Sequence, residues 1–164
     1  MSLIEDAAEP RASRIHLPHR PDLHVALWMG GTDSVLGEPV PRAALGRALV
    51  VDCAGDLSPG YRSAAAAYIP RVFMDAEVVP FSYPQLAELV HELAAAASAP
   101  GQLDRIYILC QYGMNRSGLL TGLLLRALGE AAGAAIDLVR STRPGALSNQ
   151  TFTRLIAEWT CPRS

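Results

Sequence analysis

Short apolar runs alternate along the chain with longer segments whose apolar residues recur every three or four positions. The runs are Val25–Trp28, Ala48–Cys53, Ile69–Met74 and Ile106–Leu109, and their length and composition predict strands. Val25–Trp28 reads as a short strand stopped by Gly30-Gly31. Ala48–Cys53 is continuously apolar as far as Val51, as expected of a strand covered on both faces. Pro70 cannot donate to a ladder, so it places Ile69–Met74 at a sheet edge or at a strand start.

The helical segments are signposted by period and by punctuation. A helical turn is predicted at 42–46 and a short alanine-rich helix at Tyr61–Tyr68. The next helix starts with Ser82 as cap and Gln85 closing a capping box, with Phe81 and Leu86 as a hydrophobic staple. Leu86, Leu89, Val90, Leu93 and Ala97 then hold one face, and Pro100-Gly101 ends it. From Ser117 to Leu128, Leu120, Leu124 and Leu128 lie four apart, with Leu119 and Leu123 alongside. That is a helix buried over more than one face, closed by Gly129. A further helix spans about 131–140 with Ile136 and Val139 inward, broken by the STRPG turn. The last begins near Ser148 and buries Phe152, Leu155, Ile156 and Trp159.

Strands alternating with helices predict an α/β three-layer sandwich around a central, mostly parallel sheet of four to five strands. Active loops then belong at the carboxyl ends of the strands. Residues 1–20 are polar, with Pro10 and Pro18, and read as an irregular N-terminal arm. Residues 21–164 read as a single catalytic domain, large enough to bury a substantial core.

Composition narrows the functional classes. Half of the 164 residues are apolar, and the formal net charge is −2 from 14 basic and 16 acidic residues. A nucleic acid partner is not expected from such a balance. Three cysteines at no framework spacing point to a reducing compartment. No apolar stretch is long enough to span a bilayer and the N-terminus lacks a signal-peptide core, so a cytoplasmic location without membrane association is expected. His16, His19 and His24 match no common zinc spacing and read as surface residues.

Chemistry concentrates in LCQYGMNRSG, Leu109–Gly118, between the fourth strand and the leucine-rich helix. Cys110 leaves the strand, and Arg116 with Ser117 opens the helix. The loop between can turn its backbone N–H groups inward beside the helix N-terminus, forming an anion cradle. A thiolate is favoured in such a place. Arg116 offers a planar fork for two phosphate oxygens. Ser117 can donate to the sulfur, and Gly113 allows a conformation or a close approach that a side chain would block. Taken alone, Cys110 reads as one more buried cysteine. The glycine three on, the arginine six on and the serine seven on change that reading. Cys53 is the internal control: it follows an apolar run, but Pro59 stands six residues on, so it reads as structural. Cys161 lies too near the last residue to host such a loop.

A thiolate attacking phosphorus needs a proton donor at the leaving oxygen on the opposite side. Asp75 follows a strand of the same α/β pattern and can reach the same rim. The competing reading is an aspartate that only caps or solvates its loop. Glu77 is the fallback donor, with Asp52 and Asp56 ranked lower.

C-Q-Y-G-M-N-R-S-G resembles the phosphate-binding loop of the cysteine-dependent protein tyrosine phosphatases, and its surroundings resemble the small dual-specificity branch. The resemblance runs from about Val25 to Trp159. It implies Cys110 as nucleophile, Gln111, Tyr112, Gly113, Met114, Asn115 and Arg116 as the phosphate-binding loop, and Ser117 as the residue assisting the sulfur. It implies Asp75, before Phe81, as general acid. Arg143-Pro144 and Asn149 with Phe152 resemble a further family pattern in which Asn149 braces the loop from behind. One departure is Leu109, where the family has histidine.

The resulting expectation is a phosphomonoester hydrolase working through a phosphocysteine. Its substrate is a phosphorylated protein, phosphotyrosine first with phosphoserine and phosphothreonine also in reach, or a small phosphomonoester. Neither metal nor other cofactor is required, since arginine and amides neutralise the charge. The uncharged loop rim gives no support to a highly anionic inositol phosphate. Leu109 keeps open a catalytically weak or inactive phosphate-binding relative that docks phosphorylated partners. A rhodanese-like or arsenate-reductase-like cysteine enzyme is the third alternative.

Overall fold

The computed structural model describes residues 12–31, 42–55, 57–76 and 83–160. Among these, five strands form one sheet: β1 (Ala12–Arg14), β2 (Ala26–Gly31), β3 (Ala48–Asp52), β4 (Ala67–Pro70) and β5 (Arg105–Cys110), in the order β1-β2-β5-β3-β4. β1 pairs antiparallel with β2, while β2–β5, β5–β3 and β3–β4 are parallel. The helices are α1 (Pro59–Ala64), α2 (Tyr83–Ser98), α3 (Arg116–Ala127), α4 (Ala132–Thr142) and α5 (Gln150–Glu158), with a 3-10 turn at Arg42–Arg47. None of them is long and apolar enough to cross a membrane.

The three layers follow from the period of two in the strands. Leu49 and Val51 of β3 and Ile106, Ile108 and Cys110 of β5 enter the larger core, under α2, α3, α4 and α5. Their neighbours Val50, Tyr107 and Leu109 enter the smaller core with Leu45 of the 3-10 turn, Tyr61 of α1 and Leu57 just before that helix. β3 and β5 are thus buried on both faces, which is why their sequences are apolar without alternation. α3 lies at the centre of the larger layer, with Leu119, Leu120, Leu123, Leu124 and Leu125 all buried. Each such leucine contributes about 1.5–3 kcal/mol of transfer free energy, so the helix that starts at the candidate loop is firmly seated. It ends as expected: Gly129 adopts φ 101°, its N–H donates to Arg126 O, and Glu130 N–H donates to Leu125 O.

Four local expectations change. First, β2 does not stop at Gly30-Gly31 but runs through both, pairing Gly31 with Cys110. The candidate loop crosses there, and at Gly31 it leaves no room for a Cβ. Second, the helix expected over 61–68 is α1 at Pro59–Ala64. Ser58 Oγ accepts from Tyr61 N–H at 3.4 Å and Pro59 stands in the first turn, so cap and proline start it early. Third, the strand after it is β4, Ala67–Pro70, and 71–74 are irregular. Pro70 sits on the edge strand as expected, but at its end. Fourth, the segment read as an irregular arm up to residue 20 contains β1. α2 carries the expected buried face of Leu86, Leu89, Val90, Leu93 and Ala97. Its expected cap and staple residues, Ser82 and Phe81, lie outside the described residues, as do Asp56, Glu77 and Cys161.

Candidate active site

Parallel pairing brings the ends of β2, β3 and β5 to one rim, and the loop 111–115 turns there from β5 into α3. Cys110 is buried at 2% exposure. Its Sγ accepts the Gly113 N–H at 3.3 Å and lies 3.3 Å from Ser117 Oγ. The sulfur therefore sits inside a ring closed by the loop backbone and the first turn of α3. Asn115 is the N-cap residue of α3, yet its side chain makes no cap bond. The first-turn N–H groups therefore gain no partner from the Asn115 side chain.

Gly113 and the Gly30-Gly31 pair explain how the ring closes. Gly113 has φ 71°, a conformation costly for residues with a Cβ. A Cβ there would lie 2.5 Å from the carbonyl carbon of Gly30 and 2.6 Å from the nitrogen of Gly31. A Cβ on Gly31 would in turn meet Gln111 O at 2.8 Å. The loop is laid directly on the end of β2, with three glycines at the contact. Arg143 holds it from the outside: Nε donates to Gly113 O at 2.7 Å, while Nη1 donates to Ser13 Oγ at 3.0 Å. Leu147 N–H donates to Met114 O at 3.4 Å, and Leu147 has φ 59°, the single non-glycine residue with positive φ among those described. Its buried side chain rests on Gly118.

The stretch carrying Asp75 is tied to the same rim. Arg71 N–H donates to Asp52 O, and Phe73 N–H to Cys53 O. Phe73 is buried edge-on against Phe152, with ring centroids 6.0 Å apart. Arg116 Nη1 donates to Phe73 O at 3.1 Å. Asp75 then meets two amides: Asn115 Nδ2 donates to one carboxylate oxygen and Asn149 Nδ2 to the other, each at 2.8 Å.

Cys110, Ser117, Arg116, Asp75 and the loop 111–115 are accordingly brought together. Gln111 and Tyr112 face solvent, Tyr112 at 65% exposure, whereas Gly113 is buried and Met114 packs against the larger core. Asn149 reaches the loop through its backbone. Its backbone N–H, not its side chain, meets the loop, donating to Asn115 Oδ1 at 3.1 Å. Its side chain caps α5 through Phe152 N–H and holds Asp75 and Ala76. Asp52 serves the fold: it is fully buried, accepting from Tyr68 Oη at 2.6 Å and from the N–H groups of Ala54 and Gly55. Sequence reasoning missed Gly30 and Gly31 as site residues, and Arg143 as a direct support of Gly113.

Cys53 lies beside the site without resembling it. Its N–H donates to Leu109 O at 2.7 Å, and both cysteines enter the larger core. Burial first, then the charges at Cys110 and Asp52, push its thiol well above the usual value against the opposing pull of Arg116. It is held as a neutral thiol, in keeping with a structural role. Among the described residues, no group of three or more histidines, cysteines or carboxylates could hold a metal ion.

The fold is that of solved protein tyrosine and dual-specificity phosphatases. The chain is similar to human DUSP28, with a TM-score of 0.61, 21% identity and 90% of each chain covered. It is similar to kinase associated phosphatase (KAP) carrying serine in place of its catalytic site cysteine, with a TM-score of 0.69, 16% identity and 90% of this chain and 92% of that one covered. It is also similar to the human tyrosine phosphatase-like serine/threonine/tyrosine-interacting protein, with a TM-score of 0.62, 14% identity and 89% and 93% covered. No family model matches the chain, and no curated protein matches it by sequence.

Proposed function

We propose that this chain is a member of the cysteine-dependent phosphatases of the small dual-specificity type, a phosphomonoester hydrolase acting through a phosphocysteine. The observation that carries this reading is the seat of the Cys110 sulfur, 3.3 Å from both Gly113 N and Ser117 Oγ, at a turn whose next side chain in line is Arg116. A buried cysteine with only a structural role needs no N–H aimed at its sulfur.

In the proposed first step the Cys110 thiolate attacks phosphorus as the bond to the leaving oxygen breaks. Asp75 gives its proton to that oxygen. Loop N–H groups and the free donors of the Arg116 fork hold the phosphoryl oxygens as charge spreads. In the second step Asp75, now a carboxylate, takes a proton from water. The water oxygen attacks phosphorus, the S–P bond breaks, and sulfur leaves as thiolate while Ser117 donates to it. Phosphotyrosine in proteins is the leading substrate, with phosphoserine and phosphothreonine also accepted. The deciding assay is hydrolysis of p-nitrophenyl phosphate in the presence of EDTA, with Cys110→Ser as control. Turnover that survives Cys110→Ser, or that needs a divalent ion, would remove the assignment.

A second reading rests on Leu109, which is fully buried in the smaller core and brings no polar group to the sulfur's neighbour position. It describes a protein that docks phosphorylated partners without turning them over. Vanadate binding with no detectable hydrolysis would favour it.

A further inference from the structure

Asn115 gathers the hydrogen bonds of the cleft. Its Nδ2 donates to Asp75 Oδ2 at 2.8 Å and to Ser148 Oγ at 3.1 Å. Its Oδ1 accepts the Asn149 N–H at 3.1 Å and the Ser148 hydroxyl at 3.4 Å. An amide offers two N–H donors and an oxygen with two lone pairs, so every position is used. The orientation is dictated by the partners. A backbone N–H only donates, so turning the amide over would set its NH2 against the Asn149 N–H.

Asparagine at an N-cap ordinarily accepts from the first turn of its own helix, a contact worth about 1 kcal/mol. Asn115 forgoes that bond and spends its side chain on segments 33 to 40 residues away. It stands next to Arg116, which itself reaches Phe73 O. Two consecutive residues of the phosphate loop thus hold the stretch 73–75 at both ends.

We propose that Asn115 is a positioning residue that acts through Asp75, setting the proton donor in register with the Cys110 nucleophile. This rests on the phosphatase reading and extends it. Proton transfer to a leaving oxygen requires the donor within hydrogen-bond reach, and a misplacement of about 1 Å can cost about a hundredfold. Asn149 still tethers the other carboxylate oxygen, so loss of Asn115 loosens Asp75 without releasing it.

A double-mutant cycle on the full chain, with Asn115→Ala, Asp75→Ala and both together, tests this. With phenyl phosphate, a poor leaving group, Asn115→Ala should lower kcat/KM by about tenfold, and with p-nitrophenyl phosphate by less than about threefold, because nitrophenolate hardly needs a proton. In the Asp75→Ala background the same change should cost almost nothing on either substrate. Hydrogen exchange followed by mass spectrometry should show faster exchange over 71–76 in Asn115→Ala, with α3 unchanged. Equal losses in both backgrounds, or on both substrates, would mean that Asn115 merely shapes the phosphate loop and would overturn the proposal. Unchanged exchange over 71–76 would overturn it on its own. Absence of turnover in the unsubstituted protein would instead remove the parent reading, and with it any positioning role.

Discussion

Arg143 Nε donates to the carbonyl oxygen of Gly113 across 2.7 Å, fixing the loop between β5 and α3 to the turn between α4 and α5. A buried backbone carbonyl needs a partner. Arg143 supplies a charged one, and its hold on Ser13 Oγ carries the support across to β1.

Replacing Arg143 by Leu should therefore lower kcat/KM for p-nitrophenyl phosphate by about tenfold or more, since a buried carbonyl then loses a charge-assisted partner costing about 1.5–3 kcal/mol. Ser13→Ala removes only the outer contact and should cost less than about threefold. Equal effects from the two would show that Arg143 serves the β1 edge, not the loop.

Gly31→Ala should be more harmful to activity than to folding. The added Cβ would lie 2.8 Å from Gln111 O and 3.0 Å from the Tyr112 carbonyl carbon, both backbone atoms that can move only if the loop lifts off β2. We expect a loss of about a hundredfold in kcat/KM from the displaced oxyanion donors, with the melting temperature lowered by a few degrees. Steady-state kinetics beside a thermal melt decide between this and simple unfolding.

Arg116→Lys keeps the charge and loses the fork. An ammonium cannot present parallel donors to two phosphate oxygens, and it cannot also keep Phe73 O. A loss of about a hundredfold or more in kcat/KM is expected. A change below about threefold would mean that Arg116 serves only to hold the stretch before Asp75.

Cys53 leads to a prediction about alkaline stability. Burial raises its folded-state pKa above the ordinary 9.0, whereas the unfolded thiol ionises at its ordinary value. Its contribution is therefore fully present below about pH 9 and is lost as pH rises beyond that, by up to about 1.4 kcal/mol per pH unit. Urea unfolding at pH 8 and pH 10 should show a smaller drop in stability for Cys53→Ala than for the parent protein, although Cys53→Ala starts lower from its lost packing. Identical drops would show that the Cys53 thiol is not held neutral by the fold.

Much of this architecture is legible in the order of residues because its signals are local. A run of β-branched and apolar residues, a leucine every fourth position and a glycine after the last turn are each read within one element. That sufficed for β3, β5, α3 and the loop from Cys110 to Ser117. What escaped depends on contacts between elements. Gly30-Gly31 looks like a strand stop until the loop is seen to cross it, since glycine marks both turns and close backbone approach. Asn149 is an N-cap and a tether at once, and only the first role has a local signature. Asn115 has the sequence mark of a cap, but its Oδ1 accepts from the Asn149 N–H, 34 residues on, and not from the first turn of α3.

We expect Cys110 to carry the phosphoryl group between two half-reactions. Acid quenching of the protein during turnover of p-nitrophenyl phosphate, followed by mass spectrometry of its peptides, tests it most directly. Asp75→Asn favours accumulation by slowing attack of water on the intermediate. A phosphoryl group is expected on the peptide bearing Cys110, absent from Cys110→Ser and from samples quenched before substrate is added. Turnover with no phosphorylated peptide at any time, or with the phosphoryl group on another residue, would contradict it.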